Sequence, residues 1–364
     1  MGESNSEYSR AGVDTSKAEM ALKGLLSWVN KSLALRDNIG AAMLESGYFA
    51  NVIDIGRDVA IAISTDGVGT KILVAQMMDK YDTIGIDCVA MNMNDILCVG
   101  AEPISMVDYL AVQKPETKLL EEIGKGLYEG ARLAKITIPA GEIAQVREML
   151  KGVRDNYGFD LVGTGIGIVS PEKIIVGQDI SEGDVVLGLR SNGIHSNGLS
   201  LAREVLFSKR GFGVDKYVED LGKTIGEELL EPTRIYVSEI MDILKSGLSV
   251  KALIHITGDG FLNLTRVKSE VGYIIESLPE PHPIFSLIQR FGEIKDEDMY
   301  QVYNMGIGFC LIVSDKDVGK ALDIFKKHDV ACHKIGYTVQ DRERKVVIEP
   351  KRLVGKDGQF ATLA

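Results

Sequence analysis

Cysteine is scarce and poorly placed for chemistry. The four cysteines, Cys88, Cys98, Cys310 and Cys332, make no Cys-x-x-Cys pair and have no companion histidines at zinc spacing. That excludes a disulfide framework or a zinc ribbon and leaves reduced thiols in a cytoplasmic protein. No apolar run reaches the length of a membrane span. The first twenty residues, "MGESNSEYSRAGVDTSKAEM", lack the apolar centre of a signal peptide. They match the short acylation pattern Met-Gly-x-x-x-Ser at Gly2, but the acidic Glu3 beside the acceptor weighs against it. Positive charge is in deficit as well. The formal charge of −11 argues against a general nucleic-acid surface, though not against a phosphorylated small molecule met by local cations or metal ions. What is present, 45% hydrophobic and 26% charged residues over 364 positions, is enough for two ordinary globular domains.

The periodicities organise the chain. Residues 16–36 carry a helical pattern (Leu22, Leu25, Leu26, Val29, Leu33), "VAIAIST" reads as a buried strand, and a helical pattern resumes from Ile72. Asp82 is placed to cap a second helix through "TIGIDCVAMNMNDILCV", which Gly100 and Pro103 stop. "ISMVDYLAV" and "FDLVGTGIGIV" read as strands around the helix "KLLEEIGKGLYEGARLA". The turns of "SPEKIIVGQDISEGDVVLGLRSNG" then open a new strand set. Helices follow at "GLSLAREVLF", "PTRIYVSEIMDIL" and "DVGKALDIFKKH", and strands at "VKALIHIT", "MGIGFCLIV" and "KVVIEP". The fold class is α+β: two mixed domains, 1–170 and 171–364.

Three stretches could carry chemistry. In "ISTDGVGTKILVAQ", Asp66 ends a strand, Gly67 and Gly69 permit close ligand approach, and Thr70 and Lys71 begin a helix. Helix-start amides beside an ammonium suit a phosphate, and Asp66 suits magnesium. The Gly-x-x-x-x-Gly-Lys-Ser/Thr spacing is absent, and an ordinary strand-to-helix turn with a surface lysine fits equally well. In the second stretch Asp87, Asn94 and Asp95 share one face of an otherwise apolar helix. Buried carboxylates need partners, so Asp87 pairs with a lysine or joins a metal, and Asp95 near a helix C-terminus favours metal ligation. In "SNGIHSNGLSLAREVL", Ser196 or Asn197 can cap the next helix, with His195 either exposed or facing a substrate. "VGTGIGIV" lacks a dinucleotide fingerprint and reads as a packed strand.

Taken together, these motifs resemble the phosphoribosylformylglycinamidine cyclo-ligases, also called aminoimidazole ribonucleotide synthetases. The likeness rests on "YSRAGVD", "TDGVGTK" and "YDTIGIDCVAMNMNDILCVGAEP". It continues through "VDYLA", "GIHSNGLSLAR", "LLEPTRIYV", "HITGDGF" and "MYQVYNMGIGF". The resemblance implies a cytoplasmic homodimer whose N-terminal domains share a β-barrel, acting on a phosphorylated small molecule without nucleic acid or membrane. It implies that ATP activates the formyl oxygen of formylglycinamidine ribonucleotide and that an amidine nitrogen then closes the imidazole ring. Phosphoryl transfer of this kind needs positioning and charge neutralisation. By this likeness Gly47, Gly67, Gly69, Thr70 and Lys71 hold ATP, and Asp66, Asp95 and Glu142 hold Mg²⁺. His195, Ser196, Asn197, Arg234, Thr257 and Gly258 face the substrate, Arg234 as a phosphate contact. Lys71, His195 and Asp95 are then the catalytic set.

The departures from the family pattern bear on competence. A family "GGET" segment is here "PAGEIAQV", with Ala140 and Ile143 replacing Gly and Thr while Glu142 survives. A Gly-rich loop is reduced to "SGYFANVI" with Gly47 alone, and Asp259 stands in "TGDGF" where Gly is usual. Two other readings therefore stand beside the cyclo-ligase: a nucleotide-binding paralogue with lapsed or redirected activity, and a small-molecule kinase of the same superfamily.

Overall fold

The computed structural model describes residues 15–363. The stretch "YSRAGVD" and the acylation match at Gly2 lie outside them. Helix α1 (Thr15–Val29) tightens into a 3-10 turn over Asn30–Leu35. Then come β1 (Asn51–Asp54), β2 (Ala60–Gly67), α2 (Lys71–Met78), α3 (Ile84–Cys98), β3 (Glu102–Val112), α4 (Thr117–Ala134), β4 (Thr137–Gln145) and β5 (Phe159–Val169). The five strands form one sheet in the order β1-β2-β5-β3-β4. Only β3 and β4 run parallel, joined by α4 as a parallel pair requires. Helix α4 buries Leu119, Ile123, Gly126, Gly130 and Ala134, a single stripe at helical spacing.

The alternating glycines of β5 have a packing reason. A Cβ on Gly163, Gly165 or Gly167 would meet Asn92 at 2.6 Å, Met93 at 2.7 Å or Ile96 at 2.4 Å, all on α3. The helix lies against bare backbone, so the stripe serves close packing and not a cofactor. Among the described residues, nothing covers the sheet's opposite face. Ile104, Tyr109 and Ile168 are exposed there, and Ile61, Ile63, Val162 and Ile166 are half-buried. Within the chain this sheet is open, not a closed barrel.

The second half comprises β6 (Val185–Arg190), α5 (Leu199–Arg203), the short pair β7 (Tyr217–Val218) and β8 (Lys223–Thr224), α6 (Ile225–Leu229), α7 (Val237–Lys245) and β9 (Val250–His255). It continues with β10 (Val271–Ile275), α8 (Pro283–Gly292), α9 (Asp296–Val302), β11 (Ile307–Val313), α10 (Val318–Lys327), β12 (Cys332–Gln340) and β13 (Val346–Ile348). The strands β14 (Leu353–Lys356) and β15 (Gln359–Thr362) close it. The larger sheet runs β15-β14-β13-β10-β12-β6-β11-β9. Its strand β11 is buried at every position, as a strand covered on both faces must be. One apolar cluster runs through both halves, and α3 lies within it.

Three local expectations differ from the structure. Asp82 does not cap α3; its carboxylate pairs with Lys80 at 2.6 Å, and Thr83 occupies the cap position without a side-chain bond. The cap of α5 is Gly198 in the left-handed region, with neither Ser196 nor Asn197 capping. The helix expected from Pro232 begins only at Val237, because the backbone of residues 231–236 is committed to side chains elsewhere.

Candidate functional site

Strand β2 delivers Asp66 to the edge of the interface between the halves. The backbone of Asp66 is locked by buried Asn92: its N–H donates to Asn92 Oδ1 at 3.0 Å, and Asn92 Nδ2 donates to its carbonyl at 3.1 Å. The Asp66 side chain accepts the Gly67 N–H at 2.7 Å. Burial, and then the charge of Asp95, push the Asp66 carboxyl up to about 6, with the Gly67 N–H and His255 opposing. Asp95 in turn sits 2.9 Å from Nδ1 of His255, a buried residue at the end of β9. Two carboxylates that act on each other electrostatically, with oxygen donors, fit a hard divalent cation.

Around this pair the loop after β2 is exposed at Gly69 and Thr70, with Gly69 at φ +70°, a conformation that only glycine adopts freely. Gly67 does not have a positive φ; its N–H is already taken by Asp66. Thr70 Oγ1 lies 3.1 Å from Ser200 Oγ, so this loop touches the second half directly. Asn197 Oδ1 lies 3.4 Å from where a Cβ of Gly258 would be, which brings the "HSNG" and "ITGDG" loops together. Thr257 contacts Asn263 at 3.5 Å. Gly47 has φ +111° and open space about its Cα. Asp259, the unusual carboxylate, is neutralised by Arg266 at 2.6 Å, so it brings no uncompensated charge to the cleft.

Several expected roles need correction. Lys71 is no surface ammonium free for phosphate. It is fully buried, and Nζ donates to Asp87 Oδ1 at 2.9 Å and to the Glu231 carbonyl at 2.6 Å. Of the two readings for Asp87, the lysine pair is the one found. Ser196 does not face a substrate; its hydroxyl donates to Asp87 Oδ1 at 3.2 Å and meets Thr233 Oγ1 at 2.9 Å.

Glu142 does not join Asp66 and Asp95. The register aligns Asp66 with Gly163, Asp108 and Gly141, and Gly67 with Val162, Tyr109 and Glu142. Glu142 is thus three strands away and, by strand alternation, on the opposite face. Among the described residues no group of three His, Cys, Asp or Glu side chains could hold a metal ion.

His195 is buried, not exposed, in a left-handed conformation at φ +62°. Its Nε2 accepts the N–H of Asn192 at 3.2 Å and of Arg234 at 3.4 Å, so the ring proton belongs on Nδ1. Burial pushes its pKa well below the usual histidine value. A ring kept neutral and bonded to two backbone amides organises the loop and is poorly suited to proton transfer. Arg234, partly exposed, keeps its side chain 3.6 Å from Glu239.

Sequence reasoning missed the role of Asn94. Its Oδ1 accepts the Tyr236 N–H at 3.0 Å, and its Nδ2 donates to the Arg234 carbonyl at 2.9 Å. His255 was missed too, although its place two residues before Thr257 in "HITG" could have drawn it in. A separate concavity of about 480 Å³ lies between Asn192, Lys223, Glu231 and His282 and contains neither Asp66 nor Asp95.

Comparison with known proteins bears on all of this. Residues 47–169 match the family described as AIR synthase related protein, N-terminal domain, and residues 181–349 match its C-terminal domain. The curated phosphoribosylformylglycinamidine cyclo-ligase of Methanothermobacter thermautotrophicus is 47% identical over 94% of this chain and 96% of its own. That of Methanocaldococcus jannaschii is 45% identical over 96% and 95%. Among solved structures, thiamine-monophosphate kinase from Stenotrophomonas maltophilia superposes with a TM-score of 0.59 at 17% identity, covering 88% of this chain and 94% of that one. T. maritima PurL complexed with ATP gives 0.52 at 12% identity, covering 90% of this chain and 46% of that one. The structural likenesses are of fold alone.

Proposed function

Because the chain belongs to the AIR synthase related family, and within it to the phosphoribosylformylglycinamidine cyclo-ligases, we propose that it closes the imidazole ring of formylglycinamidine ribonucleotide. It consumes ATP and yields 5-aminoimidazole ribonucleotide, ADP and phosphate. It is a ligase of purine biosynthesis that forms a C–N bond. The near-full-length likeness to curated cyclo-ligases carries this reading, and the cleft supports it.

The reaction asks a protein chiefly to hold two anionic ligands together and to exclude water. Asp66 and Asp95 would hold Mg²⁺, which when bound neutralises charge on the triphosphate. The exposed turn at Gly69 and Thr70, just before α2, offers backbone amides to phosphate oxygens. Gly47 and the 1–170 half belong to the nucleotide. The 171–364 half presents Asn197, Thr257, Gly258 and Arg234 to the ribonucleotide, Arg234 as the phosphate contact. The neutralised Asp259 leaves room for that anion.

A second copy of the chain completes the assembly. The uncovered apolar face of the five-stranded sheet supports a homodimer in which two such faces meet, their strands arranged as a barrel. No helix among the described residues is long and apolar enough to cross a membrane, and the setting we assign is the cytoplasm.

The test is ADP release by the purified chain with MgATP, with and without formylglycinamidine ribonucleotide, assaying the imidazole product in parallel. Substrate-dependent ADP matched by product is expected. ATP binding without product, under conditions where an authentic cyclo-ligase turns over, points instead to a redirected paralogue.

A further inference from the structure

Residues 231–236 cross the boundary between the halves without helix or strand. Six of their backbone polar groups are held by side chains. The Glu231 carbonyl takes Lys71 Nζ at 2.6 Å, and the Pro232 carbonyl takes Asn192 Nδ2 at 3.4 Å. The Thr233 N–H donates to Asp87 Oδ1 at 2.7 Å and the Arg234 N–H to His195 Nε2 at 3.4 Å. Asn94 holds the Arg234 carbonyl and the Tyr236 N–H. At the centre is the Lys71–Asp87 ion pair, both side chains with no exposure. Asp87 Oδ1 gathers Lys71, Ser196 and Thr233, while Oδ2 is buried with no partner.

We propose that the Lys71–Asp87 pair is a positioning device: it fixes the 231–236 strap, and Arg234 with it, against the loop of residues 191–198 so that the substrate site is assembled before the nucleotide arrives. A buried ion pair is weak evidence for stability, since apolar residues of similar volume often replace one at no cost. Fixing one geometry is the better-founded reason to keep it. The placement of Lys71 adds a link to the nucleotide side, because it is the first residue of α2, directly after the exposed Gly69–Thr70 turn. The strap and that turn are therefore anchored within a single side-chain length of each other. Lys71 and Asp87 act through Arg234 and the loop, without touching either ligand.

The inference rests on the cyclo-ligase reading, and its test separates the two. Full-length wild type, the double variant Lys71→Met/Asp87→Leu, Ser196→Ala and Ser196→Thr are compared in one assay. MgATP affinity is measured by calorimetry with a non-hydrolysable analogue, alongside steady-state kinetics for formylglycinamidine ribonucleotide. In the double variant kcat/KM for the ribonucleotide should fall on the order of 10²-fold, the scale of a reacting group displaced by an ångström. MgATP affinity should stay within about threefold of wild type, the signature of a role apart from nucleotide binding. Ser196→Ala should lose on the order of tenfold in the same parameter and Ser196→Thr should restore it. Wild-type kcat/KM in a folded double variant overturns the proposal, as does a loss that falls on MgATP affinity and makes Lys71 a phosphate contact after all. If the double variant does not fold, Ser196→Ala decides alone, and unchanged kinetics there overturn the proposal. A wild type that makes no product overturns the functional reading, and the positioning role with it.

Discussion

Removing Asn94 is the sharpest probe of how the strap is held. The side chain is fully buried, its carbonyl oxygen accepting the Tyr236 N–H at 3.0 Å and its amide donating to the Arg234 carbonyl at 2.9 Å. Asn94→Ala leaves one donor and one acceptor of the strap without these partners. An unsatisfied buried polar group costs about 1–3 kcal/mol, so the two together cost about 2–6 kcal/mol. Asn94→Asp is nearly isosteric and still accepts from Tyr236, but it turns a second oxygen toward the Arg234 carbonyl. It should therefore destabilise at least as much as alanine despite preserving volume. The assay is urea unfolding of the three proteins, reading the shift in midpoint at constant m. A shift equivalent to less than about 1 kcal/mol for both variants would refute the argument, since the strap's backbone would then be finding water or other partners.

Two further predictions concern the cleft. Asp66 has its carboxyl raised to about 6 by burial and by Asp95, so between its ordinary value of 3.8 and about 6 the folded state binds the extra proton. The metal-free protein should thus lose this contribution to stability as pH rises through that window and hold level above it. Asp66→Asn should abolish that dependence, and thermal melts at pH 4 to 7 without divalent ions check it; an identical profile in both proteins excludes Asp66 as its source. Asp259→Gly breaks a partly exposed pair with Arg266, for which about 0–1 kcal/mol is expected. Its melting point should barely move and its KM for the ribonucleotide should stay within about twofold; a large fall in KM would mean that Asp259 repels the substrate phosphate despite Arg266.

How far the sequence carried the reading depended on whether a feature was local. The stripe of α4, the alternation of β5 and the switch of pattern after Val169 are periodic signals, and helices and strands form there. "TDGVGTK" placed Asp66 at a strand end and Lys71 at a helix start, as found. The direction of the Lys71 side chain was not legible. Whether an ammonium at a helix start meets solvent or a carboxylate sixteen residues away depends on how α2 and α3 pack. Glu142 failed for a related reason: its motif is near the others in the family pattern, but strand order and side-chain parity put it on the far face. His195 looked like a loop residue because nothing local announces that Nε2 will collect two amides, one from a residue thirty-nine positions on. Residues 232–236 carry helical spacing that the anchoring side chains override, a case of tertiary context outweighing propensity.

The strap has one more implication, for how such a protein can change. Its anchors grip peptide groups, and peptide groups are the same whichever side chain they bear. The residues that must stay are the grippers Lys71, Asp87, Asn94 and His195, most of them remote in sequence. The side chains of Glu231, Arg234 and Ile235 are free of that duty and can be exchanged without rerouting the chain. A lineage could thereby alter which anion meets position 234 by a single replacement, while the path that presents it is inherited unchanged.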